Sequence, residues 1–81
     1  MVITYSTQAY GALRMIERFD RGAHRIAVTK IQKKLKQLGT TKPGVVSTQV
    51  KFSVDDARYV ISFTARVNAG TAQVTELAWE V

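Results

Sequence analysis

Apolar and polar positions are spaced in two ways along the chain, first at the helical period and then at the strand period. The first five residues are alternating and β-branched, which predicts a short strand over 1–5. Ser6 or Thr7 then supplies the side-chain oxygen that begins a helix near residue 7. Apolar residues continue at helical spacing to about residue 20. The expected apolar face of this helix comprises Ala9, Ala12, Leu13, Ile16 and Phe19.

A helical corner is expected at Asp20-Arg21-Gly22, because Asp favours caps and Gly weakens a helix interior. The second helix that follows has an apolar stripe and basic residues facing away from it. The stripe comprises His24, Val28, Ile31, Leu35 and Leu38, and the basic residues are Arg25, Lys33 and Lys36. We expect this helix to end at Gly39 and residues 40–44 to form a loop.

Beyond residue 44 the apolar residues recur with period two, which predicts three strands. Their apolar faces are Val50, Phe52 and Val54, then the odd positions from Tyr59 to Val67, then Leu77, Trp79 and Val81. Asp55-Asp56 and Asn68-Ala69-Gly70 supply hairpin turns. The prediction is one compact α+β domain over 1–81, with a short N-terminal strand, a two-helix hairpin and a three-stranded antiparallel meander. Both helices are expected on one face of the sheet.

The other face of the sheet is polar. Alternation directs Arg58, Val60, Ser62, Thr64 and Arg66 of the middle strand outward, together with Gln49, Lys51, Ser53, Glu76 and Glu80 of its neighbours. Lys and Arg among hydroxyl groups can hold a phosphodiester backbone by charge-assisted hydrogen bonds. A solvated sheet face with no ligand is the alternative.

Twelve Lys and Arg against six Asp and Glu give a net charge of +6, which favours a polyanionic partner such as nucleic acid. The charge is uneven: residues 1–54 hold ten bases and two acids, a net charge of +8, whereas residues 55–81 hold two bases and four acids, a net charge of −2. On a continuous helix, four arginines would form one stripe. The candidate nucleic-acid contacts are these arginines, Arg14, Arg18, Arg21 and Arg25, with Lys33, Lys36 and Arg66. Solvated helix faces are the alternative.

The composition argues against several classes of protein. With no cysteine and one histidine, His24, neither a disulfide framework nor a metal cluster is expected, and no cofactor is predicted. No apolar run is long enough to span a membrane, and no secretory signal begins the chain. We therefore expect a soluble, cytoplasmic protein with no membrane partner. His24 is expected to be structural, and the aromatic residues of the strands are expected in the core.

Three segments carry a resemblance to a known family. The first segment, between Thr4 and Leu38, predicts an apolar helix followed by a basic one. The second is the alternating run Arg58-Tyr59-Val60-Ile61-Ser62-Phe63, which begins with an Arg. The third is the last predicted strand, Val74-Thr75-Glu76-Leu77-Ala78-Trp79. In the order of these elements, in its length and in its basic charge, the chain resembles the RelE/ParE superfamily of toxin–antitoxin toxins.

The resemblance implies a metal-independent endoribonuclease that acts on ribosome-bound messenger RNA and is neutralised by a small acidic antitoxin-like protein. Lys51 and Arg58 match basic positions that would stabilise charge on the scissile phosphate while the ribose 2′-hydroxyl attacks it. Glu80 or Tyr59 is the nearest candidate for proton transfer, although the alternation of the strand directs Tyr59 to the opposite face from Arg58. Members that cut RNA usually carry another basic residue after the last strand, whereas no arginine follows Arg66 in this chain. A divergent or inactive member of the family is therefore an alternative. A related branch acts on DNA gyrase.

Two other functions are consistent with the sequence. One is a non-enzymatic nucleic-acid-binding module, for which the basic segment suffices. The other is a small interaction or inhibitor protein, for example one encoded by a phage, whose sheet edge pairs with a partner or with itself. The sequence does not predict the oligomeric state.

Overall fold

The computed structural model describes residues 1–38 and 43–81, which contain two helices and four strands. In chain order the elements are β1 (Val2–Tyr5), α1 (Thr7–Phe19), α2 (Arg21–Leu38), β2 (Gly44–Val54), β3 (Ala57–Asn68) and β4 (Thr71–Glu80). The α+β class is confirmed. The predicted helix end at Gly39 and the predicted loop residues 40–42 lie outside the described residues.

The sheet corrects the prediction of a three-stranded meander. β2, β3 and β4 do pair antiparallel in sequence order, but β1 joins them as a fourth strand, parallel to β4, so the sheet is mixed with the order β1-β4-β3-β2. The Val2 N–H donates to the Gly70 carbonyl oxygen at 2.9 Å, and the Ser6 N–H donates to that of Val74 at 2.9 Å. A local alternating pattern identifies a strand but does not indicate its distant partner.

Asp20 makes the corner between the helices, as expected. Its backbone is extended, at φ −160° and ψ 113°, and its N–H donates to the Ile16 carbonyl at 2.8 Å, which ends α1. Its Oδ1 accepts the Ala23 N–H at 3.1 Å, and its carbonyl accepts the His24 N–H at 3.0 Å. Asp20 therefore caps α2 immediately after α1 has ended.

The predicted hairpin turns are present. Asp55 and Asp56 have positive φ angles of 47° and 70°, which suits a two-residue turn between β2 and β3. Gly70, with φ +79°, lies between β3 and β4. The register between these strands shifts at Thr64/Ala65. β4 therefore buries Ala72 and Val74 before the irregularity and Leu77 after it, which no single period-two pattern describes.

The helices cover one face of the sheet, with α1 mainly against β4 and α2 mainly against β2. The predicted core is wrong in three details. Phe19 is 62% exposed, because α1 ends there beside the corner, and Val81 is 60% exposed beyond the end of β4. The predicted apolar stripe of α2 also differs: the buried residues are Ala23, Ala27, Ile31 and Leu35, whereas His24, Val28 and Leu38 are half-buried.

The two edges of the sheet differ. β1 ends at Tyr5, and beyond it the Gln8 side chain pairs with the backbone of β4: its Nε2 donates to the Leu77 carbonyl at 2.9 Å, and its Oε1 accepts the Leu77 N–H at 2.8 Å. The opposite edge is the eleven-residue strand β2, beside α2. Neither α1 nor α2 is long and apolar enough to cross a membrane.

Candidate nucleic-acid interface

A groove of about 370 Å³ lies where the second half of α2 meets the edge strand β2. Its lining residues are Lys30, Lys33, Lys34 and Gln37 of α2 and Gln49, Val50 and Lys51 of β2. We call this surface the lysine groove. The α2 residues lie three and four positions apart, so they project from one flank of the helix. Lys51 follows the buried Val50 on the edge strand and lines the groove from the β2 side.

The charge around the lysine groove is all of one sign within the elements that form it. α2 carries six bases and no acid, and β2 carries one base and no acid. In the described part of the chain, none of the four lysines forms an ion pair with a carboxylate, whereas His24 Nδ1 and Glu17 Oε2 lie 3.9 Å apart. Lys30, Lys33 and Lys51 are exposed and Lys34 is half-buried. The groove therefore presents unpaired positive charge to a polyanion.

The structure brings together only part of the predicted nucleic-acid surface. Lys33 lies in the lysine groove, and Lys36 and Arg25 are exposed on α2 outside its lining. The predicted arginine stripe is divided, because Asp20 interrupts the helix: Arg14 and Arg18 lie on α1, and Arg21 and Arg25 lie on α2.

The four arginines also have different surroundings. Arg14 lies over the ring of Tyr10, with its Cζ 5.9 Å from the ring centroid. Arg21 and Arg25 line a hollow between the helices together with Glu17 and His24. A carboxylate thus accompanies the arginines, whereas none lines the lysine groove.

Sequence reasoning missed Lys30 and Lys34 as site residues. Their spacing with Lys33 and Gln37 marks one helix flank, and this signal was present in the sequence. The sequence does not indicate which strand packs beside that flank, because the contact between α2 and β2 depends on tertiary packing.

The predicted catalytic residues lie at one end of the open face of the sheet. Lys51 is paired in register with Val60, and Val60 is paired with Glu80, so the three residues form a row across β2, β3 and β4. From the strand spacing, the Cα atoms of Lys51 and Glu80 are about 10 Å apart. Arg58 lies diagonally from Lys51, opposite Ser53. Lys51, Arg58 and Glu80 are all exposed.

Arg66 does not belong to this group. It is paired with Val45 near the other end of β3, and the eight residues that separate it from Arg58 span about 27 Å. Between the two ends lies a shallow hollow of about 500 Å³, whose lining includes Ser47, Ser62, Thr64 and Glu76. The Ser47 Oγ and Thr64 Oγ1 atoms are 3.0 Å apart and hydrogen-bond to each other.

Two titratable side chains take no part in either surface. Tyr59 is on the inner face and 1% exposed, and its pKa is raised first by burial and then by the charges of Asp20 and Asp55. A buried neutral phenol on that face does not reach a phosphate held by Arg58. His24 of α2 is half-buried beside Glu17 of α1 and does not line the lysine groove. Within residues 1–38 and 43–81, no group of three or more His, Asp or Glu side chains could hold a metal ion.

Comparisons with protein-family models, with curated proteins and with solved structures gave no match to this chain. The resemblance to the RelE/ParE superfamily therefore stays a prediction from the residues quoted above.

Proposed function

We propose that this protein binds nucleic acid through its sugar–phosphate backbone, in the lysine groove between α2 and β2. The observation that carries the proposal is the convergence of Lys30, Lys33, Lys34 and Lys51 on one groove with no acidic residue in its lining. Ammonium groups neutralise phosphates and release their condensed counterions, which drives binding without regard to sequence.

The dimensions of α2 suit a stretch of backbone. The residues of α2 that line the lysine groove extend from Lys30 to Gln37, a distance of about 10 Å at the helical rise. Successive phosphates of one strand in a duplex are about 3.4 Å apart along the axis, so this length matches about four successive phosphates of one strand.

The residue types in the groove favour recognition of the backbone over recognition of bases. Proteins that grip single strands usually stack bases on aromatic rings, and the lining of the lysine groove contains none. Lysines and amide side chains contact phosphate and sugar, which carry no sequence information. We therefore propose a duplex as the ligand, bound with little dependence on sequence.

The test is the salt dependence of binding to a labelled duplex of about twenty base pairs, measured by fluorescence anisotropy. If four lysines each neutralise one phosphate, a plot of log K against log salt has a slope of about −3.6 for duplex DNA. Affinity then falls about 150-fold between 50 and 200 mM salt. A single strand of the same length gives a shallower slope, about −2.8.

The control is a duplex of unrelated sequence, which we expect to bind within about threefold of the first. Absence of binding at 50 mM salt, or an affinity that salt leaves unchanged, contradicts the proposal.

A second function is favoured by the row that Lys51 and Glu80 form beside Arg58. We propose, as the alternative, a metal-independent endoribonuclease of RelE/ParE type acting on ribosome-bound messenger RNA, with an acidic antitoxin-like partner. The 2′-hydroxyl would attack the phosphorus and the bond to the 5′-oxygen would break, leaving a 2′,3′-cyclic phosphate and a 5′-hydroxyl end. Lys51 and Arg58 would stabilise the phosphoryl oxygens, and Glu80 would move a proton.

This alternative predicts that induced expression arrests bacterial growth and that the combination of Lys51→Ala and Arg58→Ala relieves the arrest. The matched control is Arg66→Ala, which removes a base from the same face of the sheet about 27 Å from Arg58. We expect the control to arrest growth as the wild type does. Harmless expression of the wild type, or equal relief by Arg66→Ala, rejects the endoribonuclease.

A further inference from the structure

Four aromatic side chains meet at the end of the molecule where α1 turns into α2. Phe52 and Tyr59 stack across β2 and β3, with ring centroids 5.1 Å apart and planes 9° apart. Trp79 of β4 lies beside Tyr59 at 6.4 Å and 28°. Phe19 stands over both, 6.3 Å from Tyr59 at 76° and 5.7 Å from Trp79 at 55°. We call these four residues the aromatic end.

The aromatic end is only partly covered by the rest of the protein. Tyr59 is buried, but Phe52 and Trp79 are half-buried and Phe19 is 62% exposed. Val81, two residues after Trp79, is 60% exposed. Exposed aromatic groups that adjoin one another mark a surface that a partner covers, whereas isolated ones do not.

The charges on this surface differ from those of the lysine groove. Asp20 and Asp55 both act electrostatically on Tyr59, and Asp56 adjoins Asp55 in the turn. Arg18 and Arg21 line the hollow beside Phe19, but Glu17 and Asp20 line it too and offset them. Because these four charges cancel, Asp55 and Asp56 make this surface negative, although the net charge of the chain is +6.

The bases nearest in sequence to the aromatic end belong to the other face of the sheet. Lys51 adjoins Phe52 and Arg58 adjoins Tyr59, and alternation along a strand directs neighbours to opposite faces. Phosphates are therefore repelled by the carboxylates here and receive no help from these two bases.

We propose that the aromatic end binds a cationic segment of a partner protein, one that carries an Arg or Lys side chain beside apolar side chains. The cation lies against the ring faces of Phe19 and Trp79 and pairs with the Asp20 and Asp55 carboxylates, and the apolar side chains cover the exposed ring surface. This surface is separate from the lysine groove, so the protein could hold a nucleic acid and a basic protein segment at once.

Trp79 is the one tryptophan in the sequence, and its emission reports directly on this surface. The probe is a synthetic twelve-residue peptide of alternating arginine and leucine, titrated into the protein of residues 1–81. Two control peptides replace either the arginines by glutamate or the leucines by serine. We expect the first peptide to shift the Trp79 emission in a saturable way and each control peptide to bind at least tenfold more weakly.

The variants separate the apolar and the charged contributions. Phe19→Ala is expected to weaken peptide binding about tenfold, and the matched control Met15→Ala, which truncates a side chain 56% exposed on the same helix, leaves it within twofold. Asp20→Asn with Asp55→Asn is expected to weaken it about fivefold. Asn still caps a helix and tolerates positive φ, so this pair tests the charge even if Phe19→Ala fails to fold. Glu76→Gln removes one charge elsewhere and is the control for the pair.

Three outcomes overturn the proposal. Equal binding of the glutamate peptide means that charge does not select the partner. A twelve-nucleotide single strand that changes the Trp79 emission more strongly than the peptide assigns the surface to nucleic acid. A change in emission with protein concentration alone, together with self-association in sedimentation, assigns it to a second copy of this chain.

Discussion

Replacing the lysines of the groove by glutamine lowers the affinity for a duplex about 100-fold at 100 mM salt. The change combines Lys30→Gln, Lys33→Gln, Lys34→Gln and Lys51→Gln. Each ammonium contributes about 0.7 kcal/mol when it pairs with a phosphate, and the four contributions sum to about 2.8 kcal/mol if each lysine contacts a different phosphate. Fluorescence anisotropy with the labelled duplex measures the effect. The slope of log K against log salt should approach zero in this variant.

The matched control removes the same number of charges from other surfaces. It combines Arg14→Gln, Arg18→Gln, Arg58→Gln and Arg66→Gln, so both variants carry a net charge of +2, four less than the +6 of the wild type. Because these arginines lie on α1 and on the open face of the sheet, we expect the control to lose less than fivefold in affinity. Equal losses in the two variants would show that net charge alone drives binding and that the groove is not the site.

Tyr59→Ala lowers the free energy of unfolding by about 3–5 kcal/mol. The Tyr59 ring is 1% exposed and contacts Phe19, Phe52 and Trp79, so truncation leaves a cavity beneath three aromatic side chains. For a domain of 81 residues this is a large fraction of the expected total, which is about 4–12 kcal/mol. Urea denaturation followed by circular dichroism measures the change.

Two variants control for the loss of a tyrosine. Tyr59→Phe keeps the ring and should cost less than about 1.5 kcal/mol. Tyr10→Ala removes a tyrosine that is 56% exposed and should cost less than about 1 kcal/mol. A Tyr59→Ala variant as stable as Tyr10→Ala would mean that the aromatic end does not support the fold.

Local sequence signals predicted most of the elements of this fold. Asp20 interrupts the helices because its side chain caps the second one, and Asp55-Asp56 turns the chain because both residues tolerate positive φ. The alternation of β3 is complete from Tyr59 to Val67, since this central strand has the helical layer on one side and solvent on the other. Each of these features depends on residues close together in the chain.

The features that were missed depend on distant residues. The parallel pairing of β1 with β4 joins the two ends of the chain, and the pattern within β1 says nothing about it. Phe19 follows the helical spacing of the core, yet it is exposed because the helix ends there. Lys30 and Lys34 line a groove only because α2 packs against β2. The site is thus a product of packing, although each of its residue types was visible in the sequence.

The most direct test of the nucleic-acid proposal is a map of backbone amide chemical shifts during titration with an unlabelled duplex. If the duplex lies in the lysine groove, the largest changes occur in Lys30–Gln37 of α2 and Gln49–Lys51 of β2, while Arg66 and the aromatic end change little. Changes concentrated on the open face around Arg58 and Glu80, with α2 unaffected, would contradict the proposed interface.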